Sequence, residues 1–128
     1  GSFGIECLSR DVKKVVFVEK DPLAFSILKK NINDLKLSNK TKLVSQDIKY
    51  YIGKFNNGEK FDLIFLDPPY KDTAYLEIIK LIKEKKIFNK INKVIIHREK
   101  KSKENLDKFL KVDMEKNYGR SKIIFGSF

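Results

Sequence analysis

The sequence contains no tryptophan, one cysteine, one methionine, one histidine and three prolines. A single cysteine, Cys7, excludes an internal disulfide framework and any zinc cluster built on cysteines, and it fits a reduced cytoplasmic setting. A single histidine, His97, lacks the partners that a metal centre needs, so no metal is expected and a structural role is the default. Apolar residues come in short blocks, none near the roughly 18 in a row that a membrane helix requires. The first residues show no basic segment followed by an apolar one, so no secretory leader is expected. Arginine is scarce as well, at three of 28 basic side chains.

The 128 residues are enough for one domain, expected to span 1–128, and an apolar fraction of 41% is enough for a packed core rather than a disordered tail. Lys and Arg exceed Asp and Glu by 28 − 17 = 11 charges. A balance of that size favours polyanionic partners through counterion release. The same excess, carried by 25 lysines in a chain rich in Ile, Asn and Phe, is also what an AT-rich genome produces, so charge alone does not separate the two.

Short β-rich runs alternate with amphipathic segments. Lys14–Glu19 reads as a buried strand, and Asp21-Pro22 as a helix N-cap followed by proline at the first helical position. Phe25, Leu28, Ile32 and Leu35 then recur at helical spacing. Ser38–Lys40 is a turn, Thr41–Ser45 a second strand, and Ile48–Phe55 a short helix closed by Asn57-Gly58. Phe61–Leu66 is a third, nearly continuous apolar strand. A helix from about Thr73 carries Tyr75, Ile78, Ile79 and Ile82 on one face. Val94–Ile96 is a fourth strand, Ser102–Leu110 a polar helix, and Val112–Tyr118 with Lys122–Phe125 a closing antiparallel hairpin around Gly119-Arg120. There is no repeat, low-complexity tract or linker. This order indicates an α/β fold, with a mostly parallel sheet and helices on both faces. Ligands of such sheets bind beyond the carboxyl ends of the strands, where Glu19, Asp47 and Asp67 fall. Each taken singly is also an ordinary cap or loop carboxylate.

Asp67-Pro68-Pro69-Tyr70 is the informative motif. Two prolines have no backbone N–H and fixed φ, so after a buried strand they form a rigid ledge of hydrogen-bond acceptors. Methylation of an exocyclic amine needs such a ledge, because acceptors that hold both N–H bonds turn the conjugated lone pair toward a methyl donor. An aromatic face, here Tyr70, stacks the extruded or unpaired base. An ordinary proline-bearing turn is the competing reading.

With these residues the chain resembles the class I, S-adenosylmethionine-dependent amino-methyltransferases, whose motif is (D/N/S)-P-P-(Y/F). Among them it is most similar to the RsmD type, which methylates the exocyclic amine of a guanine in small-subunit ribosomal RNA. The matching stretches are 1–10, 16–21, Asn31-Ile32 and 61–70, and Tyr118-Gly119 fits the closing hairpin. The resemblance implies a Rossmann-like fold, S-adenosylmethionine as cofactor, and ribosomal RNA or a partly assembled small subunit as partner, with no membrane and a monomeric state. Gly1 and Gly4 would belong to a glycine-rich loop under the cofactor. Glu19, with Lys20 beside it, would hold the ribose hydroxyls, and Asp47 with the Ile48 backbone the adenine edge. Asp67, Pro68, Pro69 and Tyr70 would orient and stack the target base, with Asp67 also near the cofactor. Glu6 and Arg10 are read as supports on the first helix. His97 and Cys7 receive structural readings, and the Arg98, Lys100, Lys101, Lys103 cluster is read as a solvated face that also suits an RNA footprint. The family pattern places a strand and Asp-Leu-Phe-Ala-Gly-Ser ahead of the position of Gly1. That strand, normally central, is not in this chain, so a gap in the sheet and an incomplete cofactor loop are expected. The same chemistry on DNA adenine or protein glutamine, or a non-catalytic RNA-binding remnant, are the alternatives.

Overall fold

The computed structural model describes residues 1–56, 58–69 and 71–128, so Asn57 and Tyr70 lie outside the described residues. It divides into two compact units, Gly1–Tyr51 and Ile52–Phe128.

The first unit opens with helix α1 (Ser2–Ser9), followed by strand β1 (Val15–Val18), helix α2 (Pro22–Asp34), a 3-10 turn at Ser38–Lys40, strand β2 (Thr41–Val44) and the start of helix α3 (Ile48–Gly53). The α2 entry follows the sequence expectation. The Asp21 carboxylate accepts from the Ala24 N–H at 3.2 Å, and Pro22 occupies the first turn. β1 and β2 pair in parallel, from Val15 opposite Thr41 to Val18 opposite Val44. Leu8, Phe17, Leu28 and Ile32 form the core, flanked by Ile5, Val15, Leu37 and Leu43. Leu35, expected on the buried stripe, is exposed. It caps the C-terminus of α2, beyond the point where the stripe faces β1.

Gly4 corrects the sequence reading. It lies inside α1 rather than in a loop. A Cβ there would meet the Phe17 ring at 2.4 Å, so its lack of a side chain lets α1 lie close on β1. Gly1 is the N-cap of the same helix, and a Cβ on it would meet Leu28 Cδ1 at 2.4 Å. The Glu6–Arg10 support is present as an i,i+4 pair at 3.0 Å, but both side chains are largely exposed, so it adds little stability. Cys7 is half-buried, and burial pushes its thiol up, with Glu6 adding to the rise and Arg10 opposing it.

The second unit contains strand β3 (Phe61–Leu66), helix α4 (Tyr75–Lys85) and strands β4 (Phe88–Glu99), β5 (Lys111–Tyr118) and β6 (Ser121–Ser127). They form one mixed sheet in the order β3-β4-β6-β5. β3 and β4 are parallel, while β6 runs antiparallel to both β4 and β5. Tyr75 and Ile79 of α4 pack against Val94, Ile96 and Ile124 of the sheet, together with Leu106 and Leu110. Gly119, at φ +57°, opens the two-residue turn between β5 and β6, where that backbone favours glycine. Parallel pairing between strands joined by helices, closed by an antiparallel hairpin, makes this an α/β fold with a mixed sheet.

Two elements differ from the sequence expectation. β4 begins six residues before Val94. Its early part is polar and irregular, with the register jumping between Phe61 and Leu63, and Asn89 and Asn92 side chains bonding Asp62 Oδ1 and the Asn89 carbonyl across it. The polar helix expected at 102–110 is absent, replaced by turns. Asn105 Oδ1 accepts from the Asp107 N–H at 2.9 Å, and the Ser102 hydroxyl donates to the Glu99 carbonyl at 2.8 Å. Local side-chain bonds of this kind compete with a helix, and burial of Leu106 and Leu110 in the core settles the outcome.

Candidate functional site

In the first unit the two acids sit at the carboxyl ends of neighbouring parallel strands. Glu19 follows β1, and its N–H pairs with the Val44 carbonyl at 3.0 Å, which fixes it at that edge. Its Oε1 accepts the Asp21 N–H at 3.0 Å. Asp47 precedes α3 and caps it, with Oδ1 accepting from the N–H groups of Lys49 at 2.8 Å and Tyr50 at 3.3 Å. Each carboxylate thus spends one oxygen on local backbone, and among the described residues its other oxygen has no hydrogen-bond partner. Lys20 and Ile48 stand next to them in the chain, Lys20 exposed and Ile48 half-buried.

In the second unit Asp67 leaves β3 at its carboxyl end, and Pro68 and Pro69 stop the ladder because neither carries an N–H. The Pro69 carbonyl is held from two sides, by the Asp72 N–H at 3.0 Å and by Arg98 Nη1 at 3.0 Å. The Pro68 carbonyl accepts nothing from the described residues. Asp67 Oδ1 pairs with His97 Nδ1 at 2.8 Å, and His97 Nε2 with Ser121 Oγ at 2.9 Å. Asp67, Pro68, Pro69, His97 and Arg98 line an open cleft of about 360 Å³. Tyr70, expected to stack a base here, lies outside the described residues.

Arg98 is not on a solvated face, as its charged neighbours in the sequence suggested. It is 2% exposed. Along β4 it follows Val94 and Ile96 onto the buried face by simple strand alternation. Its charge is matched there. Nη2 donates to Glu104 Oε1 at 2.6 Å, and the guanidinium lies 4.5 Å from the centre of the Tyr75 ring. Burial pushes the Tyr75 phenol up to about 12, with the Glu104 charge adding to the rise and Arg98 opposing it. Burial also acts to raise Glu104, but its own backbone bond, Arg98 and Ser102 outweigh this and hold its carboxyl below the ordinary range. Sequence reasoning missed Glu104 because it sat in a segment read as a polar helix. The signal for Arg98 was the period-2 burial of Val94, Ile96 and then position 98.

A second cleft of about 380 Å³ opens where the β5–β6 turn meets the end of β4, lined by Glu99, Lys100, Lys101, Gly119 and Arg120. The Lys100 N–H donates to the Arg120 carbonyl at 2.7 Å, which joins the two segments. Arg120, read from sequence only as part of a turn, is therefore grouped with Lys100 and Lys101, while Lys103 lies outside that lining. Among the described residues no group of His, Cys, Asp and Glu is arranged to hold a metal ion, and no helix is long and apolar enough to cross a membrane.

This architecture is a class I methyltransferase fold. A solved structure of a candidate methylase from Haemophilus influenzae superposes with a TM-score of 0.86 at 29% identity, over 98% of this chain and 79% of that one. The chain belongs to the family described as Conserved hypothetical protein 95, the RsmD family, which matches residues 1–127. Among curated proteins it is similar to Ribosomal RNA small subunit methyltransferase D of Haemophilus influenzae, 38% identical over 85 residues, or 66% of this chain and 44% of that protein. The protein of the same name from Buchnera aphidicola is 33% identical over 101 residues, or 79% of this chain and 52% of that protein. The chain spans about half the length of these curated relatives.

Proposed function

We propose that this chain is one S-adenosylmethionine-dependent methyltransferase domain, spanning residues 1–128, that methylates the exocyclic N2 amine of a guanine in small-subunit ribosomal RNA. The observation that carries the reading is the Asp67-Pro68-Pro69 ledge, locked at the end of β3 by Arg98 with one carboxylate oxygen and the Pro68 carbonyl left as acceptors. The family match along nearly the whole chain supports it, as do the relatives named as ribosomal RNA methyltransferases.

When bound, S-adenosylmethionine would supply a methyl group on a sulfonium, its thioether leaving with the C–S electron pair, and the proton shed by the amine would pass to water. The remaining acceptor oxygens of Glu19 and Asp47 fit the hydroxyl and amine donors of such a nucleoside. Glu19 holds the ribose hydroxyls, with Lys20 beside it, and Asp47 with the Ile48 backbone meets the adenine. Gly1, at the head of α1, belongs to the cofactor loop, and Gly4 serves it by keeping that helix close to β1. Asp67 and the Pro68 carbonyl each accept one N–H of the target amine, which turns the lone pair toward the methyl carbon, and Tyr70 stacks the base. The partner is ribosomal RNA or a partly assembled small subunit, met by a cytoplasmic monomer.

The cofactor step is tested by calorimetry with S-adenosylmethionine. Glu19→Ala is expected to weaken binding by about 1.5–3 kcal/mol, the scale of a hydrogen bond to a charged group. Unchanged affinity removes Glu19 from the site. The partner step is tested by salt titration of RNA binding, where the log–log slope is expected to be steep, near −0.7 to −0.9 per phosphate contacted. Replacing Lys100, Lys101 and Arg120 together by glutamine is expected to flatten that slope by roughly two to three such contacts and to weaken binding equally for cognate and unrelated RNA. A slope that is flat in the unmodified protein assigns the lysine excess to codon usage instead.

A further inference from the structure

We propose that His97 is a positioning residue for methyl transfer, which fixes the Asp67 carboxylate so that a single oxygen faces the target amine; this rests on the reading of Asp67 as an amine acceptor.

The imidazole reaches across the sheet. β4 lies between β3 and β6, with Ile96 opposite Leu66 on one side and Glu99 opposite Ser121 on the other. His97 is therefore next to Asp67, just past the end of β3, and diagonal to Ser121, the first residue of β6. Both ring nitrogens are used, at 2.8 Å to Asp67 Oδ1 and 2.9 Å to Ser121 Oγ. An ionised carboxylate only accepts, so Nδ1 carries the hydrogen. On a neutral ring Nε2 then accepts, and the Ser121 hydroxyl donates to it. The partners thus select one tautomer and one ring orientation.

The Asp67 side chain is 59% exposed, and no described residue other than His97 bonds its carboxylate. Without the imidazole no described residue restrains the carboxylate by a hydrogen bond, although its backbone stays fixed between β3 and Pro68. With it, Oδ1 is occupied and Oδ2 is the oxygen presented.

The test is steady-state methyl transfer from S-adenosylmethionine to small-subunit RNA, together with nitrogen-15 NMR of the one histidine in this sequence. His97→Ala is expected to lower kcat roughly ten- to a hundredfold, the scale for misplacing a reacting group, with KM for the cofactor unchanged. His97→Asn, whose amide N–H can stand in for Nδ1–H, is expected to recover most of kcat. NMR is expected to show the neutral ring as its Nδ1–H tautomer. A wild-type kcat in His97→Ala, a His97→Asn variant no more active than His97→Ala, or the Nε2–H tautomer overturns the assignment while leaving methyl transfer by the protein intact. An unmodified protein that transfers no methyl group overturns the parent reading and this one with it.

Discussion

Asp67→Ala is expected to slow methyl transfer roughly a hundred- to a thousandfold, or about 2.7–4 kcal/mol, while cofactor affinity stays nearly unchanged. The size of the effect follows from where the residue sits. It closes a strand paired to β4 from Leu63 to Leu66, and two prolines follow it, so the backbone cannot shift to offer a replacement acceptor. Removing the carboxylate leaves the Pro68 carbonyl alone on the amine, free to turn its lone pair away from the methyl group. Asp67→Asn is expected to retain more activity than alanine, because an amide oxygen still accepts; its NH2 group, however, faces either the His97 donor or the amine, so recovery is incomplete. Single-turnover rates with saturating cofactor check this directly. Equal rates for alanine and wild type reduce the ledge to a turn.

Arg98→Met is expected to destabilise the fold by about 3–5 kcal/mol, the scale for breaking a buried ion pair by removing one partner. Methionine fills much of the volume over Tyr75, but it leaves the largely buried Glu104 carboxylate without its cation and the Pro69 carbonyl without one of two donors. Denaturant unfolding at several pH values adds a check on sign. In the native protein Glu104 is held below the ordinary carboxylate range, so folding favours its ionised form. Its contribution is complete above that range and is lost as pH falls through the lowered native value. In Arg98→Met this acid-side loss of stability is expected to shrink. Arg98→Met combined with Glu104→Leu is expected to recover much of the stability, because no unpaired charge is left buried. A single variant as stable as wild type contradicts the account of the ledge as clamped from below.

Much of this was legible in the sequence, for identifiable reasons. β1, β2 and β3 are short apolar runs with clear turn chemistry on either side, and Asp21-Pro22 is a cap that operates within four residues, so local rules suffice. The acids at the strand ends were legible because a parallel sheet puts its ligand edge there. Gly4 was misplaced because glycine reads as loop in one dimension, whereas its use here is a close helix–strand approach that involves Phe17, 13 positions away. The 102–110 segment and the early part of β4 were misread for a shared reason. Both are polar, and their conformation is settled by partners distant in the chain, Arg98 and the core in one case and β3 in the other. Arg98 itself illustrates the limit. A charge run normally faces water, and only strand alternation combined with a carboxylate six residues ahead reverses that expectation. The His97 bridge depends on pairing among three strands and has no local signature at all.

The central claim is tested most directly by incubating the protein with methyl-labelled S-adenosylmethionine and small-subunit ribosomal RNA, free or partly assembled, and digesting the RNA to nucleosides. The account predicts label in a single product, N2-methylguanosine, formed by the unmodified protein and lost with Asp67→Ala. Label in an adenosine or in protein, or no transfer from a protein that binds the cofactor, would contradict it.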